Sequence, residues 1–191
     1  MTGRTHDLVG FTALTYIVAT QNTPHMTFAT LLVAVGGNFI GSLTPDLDEA
    51  TSGFWQKIPA GTFIGKLVHP LTGGHRLITH SLLGMFLIGK VLEFVLQKMG
   101  TVLLVDMNVV WISFMIGFFF HLVADSITKE GVPWLFPIPW KIGFPPFKSL
   151  RITTGAFLEK AVVFPGLLIL NGFLIYNNYS KFVDFVISST K

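Results

Sequence analysis

The sequence predicts an all-α fold, a polytopic membrane helical bundle of about four to five transmembrane helices with a Pro/Trp-rich interfacial loop. Three observations predict it. Of 191 residues, 51% are hydrophobic and only 12% are charged, against roughly 25% charged in an ordinary soluble domain, and the mean hydropathy is +0.64. The apolar residues gather into runs that approach the roughly 20 residues needed to cross a bilayer. The acids and histidines gather at the edges of those runs, where contact with lipid is least costly to them.

Five helices follow from the runs. The first, Leu8 to about Thr20, is short: at 1.5 Å per residue it spans only about 20 Å, so it extends toward Thr23 or inserts only in part. The second runs from about Met26 to Leu43, with Gly36-Gly37 and Gly41 permitting close helix approach. The third runs from about Ile78 to Gln97, the fourth from about Val102 to Asp125, and the fifth from about Lys160 to Tyr176 with Pro165 near its start. Within the third, Lys90 and Glu93 are three apart and pair or snorkel. Residues 49–77 form a mixed, Gly-containing connection. Residues 126–159 hold Pro133, Pro137, Pro139, Pro145 and Pro146 with Trp134 and Trp140. The prolines prevent a regular helix, and the aromatic residues suit the headgroup layer. The whole chain, residues 1–191, reads as one domain with its site-bearing part at about residues 3–160.

Composition also excludes. There is no cysteine, which removes disulfides, thiolate catalysis and sulfur-ligated metal. No small-x-small cleavage pattern follows the first apolar run, so no cleavable signal is expected. No dense Lys/Arg stripe supports nucleic-acid binding.

Connectivity then places the ionisable clusters. His6 precedes the first helix, Asp46 and Asp48 follow the second, His75 and His80 open the third, and His121 and Asp125 close the fourth. The start of an odd-numbered helix and the end of an even-numbered one lie on the same membrane face, so all four clusters meet there, joined by Glu159. Nine cations (Arg4, Lys57, Lys66, Arg76, Lys129, Lys141, Lys148, Arg151, Lys160) fall on that side, against Lys98, Lys181 and Lys191 on the other. The positive-inside rule makes the cluster side cytoplasmic in a multi-pass cell-membrane protein. His25 falls on the opposite face, and His69 has no partner at ligand spacing.

Each cluster alone has an ordinary explanation. His121 and Asp125, four apart, share one helix face, which suits a helix-end hydrogen bond as well as an ion. Asp46 and Asp48 after Pro45 suit a solvated turn, although close carboxylates repel without a cation or proton between them. Asp7 suits a helix N-terminal charge. Together the clusters predict a metal site built from His6, Asp46, Asp48, His75, His80, His121 and Asp125. Imidazole and carboxylate suit zinc, manganese or iron. Seven ligands exceed one closed tetrahedral zinc site and suit one or two divalent ions, two being bridged by a carboxylate. Asp48, Arg76 and His80 are the expected catalytic residues. Asp46 or Asp48 would bridge ions or take the proton of a metal-activated water, and Arg76 would hold a phosphate by bidentate hydrogen bonds. Lys129, Lys148 and Arg151 would add positive potential near the headgroups.

The order His6, then Leu43-Thr44-Pro45-Asp46-Leu47-Asp48, then Gly74-His75-Arg76-Leu77-Ile78-Thr79-His80-Ser81, then His121-Leu122-Val123-Ala124-Asp125-Ser126-Ile127-Thr128 resembles the YdjM family of inner-membrane metal-dependent hydrolases. Gly131-Val132-Pro133-Trp134-Leu135-Phe136-Pro137 adds to the likeness, which covers about residues 3–160. It implies a metal-dependent hydrolase of the prokaryotic inner membrane and names no substrate. A more distant likeness, to zinc-dependent phospholipase C, implies metal binding by His6, Asp46 or Asp48, His80, His121 and Asp125, with zinc foremost. The chain lacks that enzyme's later His-x-x-x-Glu helix and offers only Glu159. The leading expectation is therefore a phosphoesterase acting on a phospholipid or other lipid-phosphate substrate at the cytoplasmic face. Its rivals are a non-enzymatic metal-binding or metal-transport protein, which would place ionisable groups at mid-membrane, and a structural membrane protein whose clusters are hydrogen-bonded helix caps.

Overall fold

The computed structural model describes residues 1–21, 27–49, 52–56, 59–68, 77–100, 105–138 and 140–189. The fold is all-α. Helix α1 is Gly3–Thr20, α2 Phe28–Leu43, α3 Gly53–Gln56, α4 Gly61–Val68, α5 Leu82–Met99, α6 Met107–Ser126, α7 Phe164–Asn177 and α8 Tyr179–Ser189. A 3-10 turn over Thr44–Asp48 continues α2, and a π-helical turn over Glu159–Val163 leads into α7. Among the described residues there is no strand, only isolated bridges between Thr128 and Ile152 and between Val132 and Ile142.

Three helical stretches are long and apolar enough to cross a membrane: Phe28–Asp48, Met107–Ser126 and Glu159–Asn177. Two more helices run beside them. Helix α5 carries Lys90, Glu93 and Lys98, and Lys90 Nζ meets Glu93 Oε2 at 2.7 Å as the spacing predicts. Helix α1 packs against α2, α6 and α7 and buries Thr5, His6, Thr12 and Thr15, so it is a polar helix held inside the bundle. Bulky apolar side chains such as Leu32, Phe86, Phe94 and Ile169 point outward, the inverse of a water-soluble protein and the pattern lipid favours.

Helix α1 starts five residues before the apolar run suggests, because its cap comes from the far end of the chain. Glu159 Oε1 accepts from Thr2 N (2.7 Å), Thr2 Oγ1 (2.8 Å) and Thr5 Oγ1 (2.6 Å). A carboxylate there satisfies the Thr2 N–H and the two threonine hydroxyls and complements the helix dipole. The same contact sets α1 and α7 parallel and in register. Asn171 Nδ2 donates to Thr12 Oγ1 one level down, and Lys181 Nζ reaches the Ala19 carbonyl below that.

The closest crossing is between α2 and α6. A Cβ on Gly41 would lie 2.0 Å from the Phe114 carbonyl oxygen, and one on Gly117 would lie 2.1 Å from that of Asn38, so only glycine lets these backbones meet. Asn38 Nδ2 adds a hydrogen bond to the Ser113 carbonyl at 3.0 Å. Gly36 plays no such part, since a Cβ there would meet nothing. From the crossing toward the C-terminal end of α6, Phe114, Phe118, Leu122 and Val132 form the apolar core, with Met85, Ile88 and Trp134 packed on it.

The proline-rich segment is folded rather than slack. Val132 and Ile142 exchange backbone hydrogen bonds, each 2.9 Å. The Arg151 side chain, expected to add positive potential near the headgroups, donates to the carbonyls of Gly143, Pro145 and Pro146 and so holds the loop. The Leu82 N–H donates to the Trp134 carbonyl at 3.0 Å, fastening the loop over the start of α5. Trp140, Phe144 and Phe147 remain exposed, as a headgroup-level loop would have them.

Candidate metal centre

Each cluster is delivered to its place by a helix end. Pro45 at the second position of the 3-10 turn bends the chain after α2 and presents Asp46 and Asp48. Ser81 caps α5, its side chain accepting from the Gly84 N–H at 3.0 Å, so α5 begins at Leu82 and leaves Thr79 and His80 on the turn before it. The last turns of α6 carry His121 and Asp125, and the first turns of α1 carry His6. All of these groups lie at one end of the bundle, as connectivity predicts.

Four atoms converge. His80 Nε2 lies 3.7 Å from Asp46 Oδ1 and 3.7 Å from Asp125 Oδ2. His121 Nε2 lies 3.7 Å from Asp46 Oδ1 and 3.8 Å from Asp125 Oδ2. Zinc–nitrogen and zinc–oxygen bonds of about 2.0–2.2 Å set ligand atoms about 3.3–3.6 Å apart in a tetrahedron, and these four histidine–aspartate separations lie within a few tenths of an ångström of that spacing. His80, His121 and Asp125 are fully buried, while Asp46 is 21% exposed. Asp46, His80 and His121 form one trio suited to an ion, and His6, His121 and Asp125 form another.

The surrounding hydrogen bonds fix the imidazole faces. His121 Nδ1 lies 2.6 Å from the Ser42 carbonyl, which can only accept, so Nδ1 carries the hydrogen and Nε2 presents its lone pair to the cage. Among the described residues His121 Nε2 has no hydrogen-bond partner. On His80, Nδ1 lies 3.3 Å from Asp48 Oδ2 and 3.2 Å from Thr79 Oγ1, and the Thr79 hydroxyl donates to the same Asp48 oxygen at 2.5 Å. This is the carboxylate–histidine pairing that orients metal ligands. Burial opposes charge on His80. Asp46 and Asp48 on either side of the ring, with Asp125, outweigh it and hold its pKa above the ordinary imidazole value.

His121 is common to the two trios, and Asp125 reaches both sides of it. Its Oδ2 faces the cage, while its Oδ1 takes His6 Nε2 at 3.1 Å and the Met1 amino group at 2.6 Å. The His6 ring stacks on His121 with centroids 3.7 Å apart. His6 therefore braces both neighbours, and its Nδ1 has no partner among the described residues.

A sequence model of the YdjM inner membrane protein family matches residues 1–187. The chain belongs to this family. This YdjM-family protein is also similar to the uncharacterized protein YvsG of Bacillus subtilis (strain 168), at 30% identity over 85% of this chain and 88% of the relative. No solved structure matches it. It is thus a membrane protein of an inner-membrane family, with apolar spans and buried His/Asp groups able to hold a metal ion.

The YdjM-family chain departs from the sequence expectation in particulars. Asp48 sits behind His80, at its Nδ1, so it supports a ligand where the sequence makes it a ligand itself. Glu159 stands outside the cage, its Oε1 taken by Thr2 and Thr5 and its Oε2 by the Gly155 N–H at 2.7 Å. Asp7 accepts from Ser42 Oγ at 2.7 Å and is not a terminal helix charge. His75 and Arg76, expected as ligand and phosphate binder, lie outside the described residues, as do His25 and His69. Sequence reasoning missed Thr79 and Ser42. The threonine beside His80 was a usable signal, but Ser42 acts through its backbone carbonyl, which no side-chain pattern announces.

Proposed function

We propose that this YdjM-family protein is a membrane-embedded metal-dependent hydrolase, acting on a lipid phosphoester at the cytoplasmic membrane face. The observation that carries the reading is the convergence of His80 Nε2, His121 Nε2, Asp46 Oδ1 and Asp125 Oδ2 at 3.7–3.8 Å. Asp125 is buried and Asp46 is 21% exposed, and carboxylates gathered on the same two imidazole nitrogens favour a bound cation. A divalent ion supplies Lewis acidity toward a phosphoryl oxygen and lowers the pKa of water. Zinc fits the donor set best, with manganese or iron next.

The residues divide the work. His80, His121 and Asp125 would hold the ion from inside the bundle. Asp46, the exposed member, faces the entry route and accepts the proton of the attacking water. Asp48 and Thr79 keep His80 in the tautomer that presents Nε2. In the hydrolysis the water oxygen bonds to phosphorus, the ester P–O bond breaks and the leaving alcohol takes a proton. Arg76 is assigned to the phosphate on sequence grounds. A lipid substrate follows from position, since the cage sits at the ends of the apolar spans, where headgroups lie. The excess of Lys and Arg on that side supports the cytoplasmic face.

The second reading is a non-enzymatic metal-binding protein. Full burial of three of the four groups favours it, because closed four-ligand sites are usually structural. Elemental analysis of purified protein, followed by phosphomonoester and phosphodiester assays with and without chelator, separates the two. Chelator-sensitive release of phosphate or alcohol, lost in His80→Ala and Asp125→Ala, supports the hydrolase. Stoichiometric metal with no turnover of any ester supports the second reading.

A further inference from the structure

Arg4 at the start of α1 and Lys160 in the π-helical turn both line a cavity of about 700 Å³. Among the described residues neither side chain has a hydrogen-bond or ion-pair partner. The nearby acids are engaged elsewhere. Asp7 on the cavity wall accepts from Ser42 Oγ, and Glu159 is closed by Thr2, Thr5 and Gly155. Leu43 and Phe164 supply apolar walls. Lys160 opens one apolar span and Leu43 lies near the end of another, so the cavity sits at headgroup level.

A second hollow, of about 470 Å³, lies along the same two helices. Val9, Ala13 and Tyr16 of α1 and Leu167, Leu170 and Leu174 of α7 line it. Thr5, Val9, Ala13 and Tyr16 succeed one another at three- to four-residue steps down α1, and so do Lys160, Phe164 and Leu167 down the facing stretch. Because the two helices run parallel from Thr2–Glu159 to Thr12–Asn171, the cationic hollow is at the membrane surface and the apolar one is deeper.

We propose that the α1–α7 seam binds an anionic phospholipid, its phosphate between Arg4 and Lys160 and one acyl chain along the apolar hollow. The inference concerns binding alone and does not depend on hydrolysis.

The test uses full-length protein purified in detergent and given dioleoylphosphatidylglycerol, dioleoylphosphatidylcholine or inorganic phosphate. Retained lipid is counted by native mass spectrometry, with helicity and metal content measured alongside. Wild type should retain the phosphatidylglycerol. Each cation near a lipid surface contributes about fivefold in affinity, so Lys160→Gln should lose about fivefold and Arg4→Gln/Lys160→Gln about 25-fold. Ala13→Phe, which fills the apolar hollow, should displace lipid without altering charge. Lys148→Gln, on the proline-rich loop, should change nothing. Equal retention by the double variant would overturn the proposal, as would an equal loss in Lys148→Gln. So would inorganic phosphate or phosphatidylcholine displacing the lipid at matched concentration, since the site would then take a free anion or any lipid. If the double variant fails to keep wild-type helicity, Lys160→Gln and Ala13→Phe decide.

Discussion

His121 presents Nε2 to the cage because Ser42 fixes its other nitrogen, and His80 does so because Asp48 and Thr79 fix its own. The two imidazoles therefore differ in what a substitution removes. Asp48→Asn keeps the shape behind His80 but loses the charge that orients it, and such supporting groups typically matter 10- to 100-fold. Metal affinity, measured by competition with a chromophoric chelator, should fall by about that factor while circular dichroism stays unchanged. The raised pKa of His80 gives a second expectation. In chelated protein the protonated ring is favoured in the folded state, so its stabilising contribution is complete below the unfolded imidazole pKa of about 6.5. That contribution is lost as pH rises through the higher folded value. Metal binding must expel the same proton, so metal affinity runs the other way and rises with pH. Thermal melts of chelated protein and metal titrations across pH 5.5–9 should slope oppositely, and His80→Gln should flatten both.

Among the elements, α1 departs most from what its sequence suggests. Its apolar run begins at Leu8, yet the helix begins at Gly3, because Glu159 caps it across the bundle. No local pattern holds that information. The cap and His6, which braces Asp125 and His121, lie within one turn of each other, so loosening the first should loosen the second. Glu159→Gln substitutes an amide among groups that donate, and losing charge-assisted hydrogen bonds costs about 2–4 kcal/mol. A lowered melting temperature, with faster amide exchange confined to about residues 3–8, is the expected result. The remaining differences have similar causes. Helix α5 starts at Leu82 because Ser81, not Ile78, caps it. The short helices α3 and α4 arise in a segment with no sustained apolar period, and α8 in a closing segment that carries no site motif. What was legible was periodic or topological: the i, i+4 pair His121 and Asp125, the Pro45 break, and the odd–even rule that brings all the clusters to one end.

Over the whole molecule, helix α1 with its buried threonines and His6 packs among α2, α6 and α7, and His6, Asp46, Asp48, His80, His121 and Asp125 gather at one end. That asymmetry supports both the proposed metal centre and its proposed membrane face. Because the chain has no cysteine, single cysteines report topology without background. Lys148→Cys, in the loop that joins the end of α6 to the start of α7, should react with an impermeant maleimide only in inside-out vesicles, and Lys181→Cys, in α8 just past the other end of α7, only in right-side-out ones if α7 crosses fully. Labelling of Lys148→Cys from the outside would move the centre to the opposite face while leaving its geometry intact.

The most direct measurement is metal analysis of the purified protein combined with X-ray absorption at the edge of the metal found. The account predicts at least one divalent ion per chain, held by mixed imidazole nitrogen and carboxylate oxygen at about 2.0–2.2 Å, and lost together with its imidazole scattering in His121→Ala. Wild-type protein that is folded, free of metal as purified, and unable to take up zinc, manganese or iron at neutral pH would contradict it.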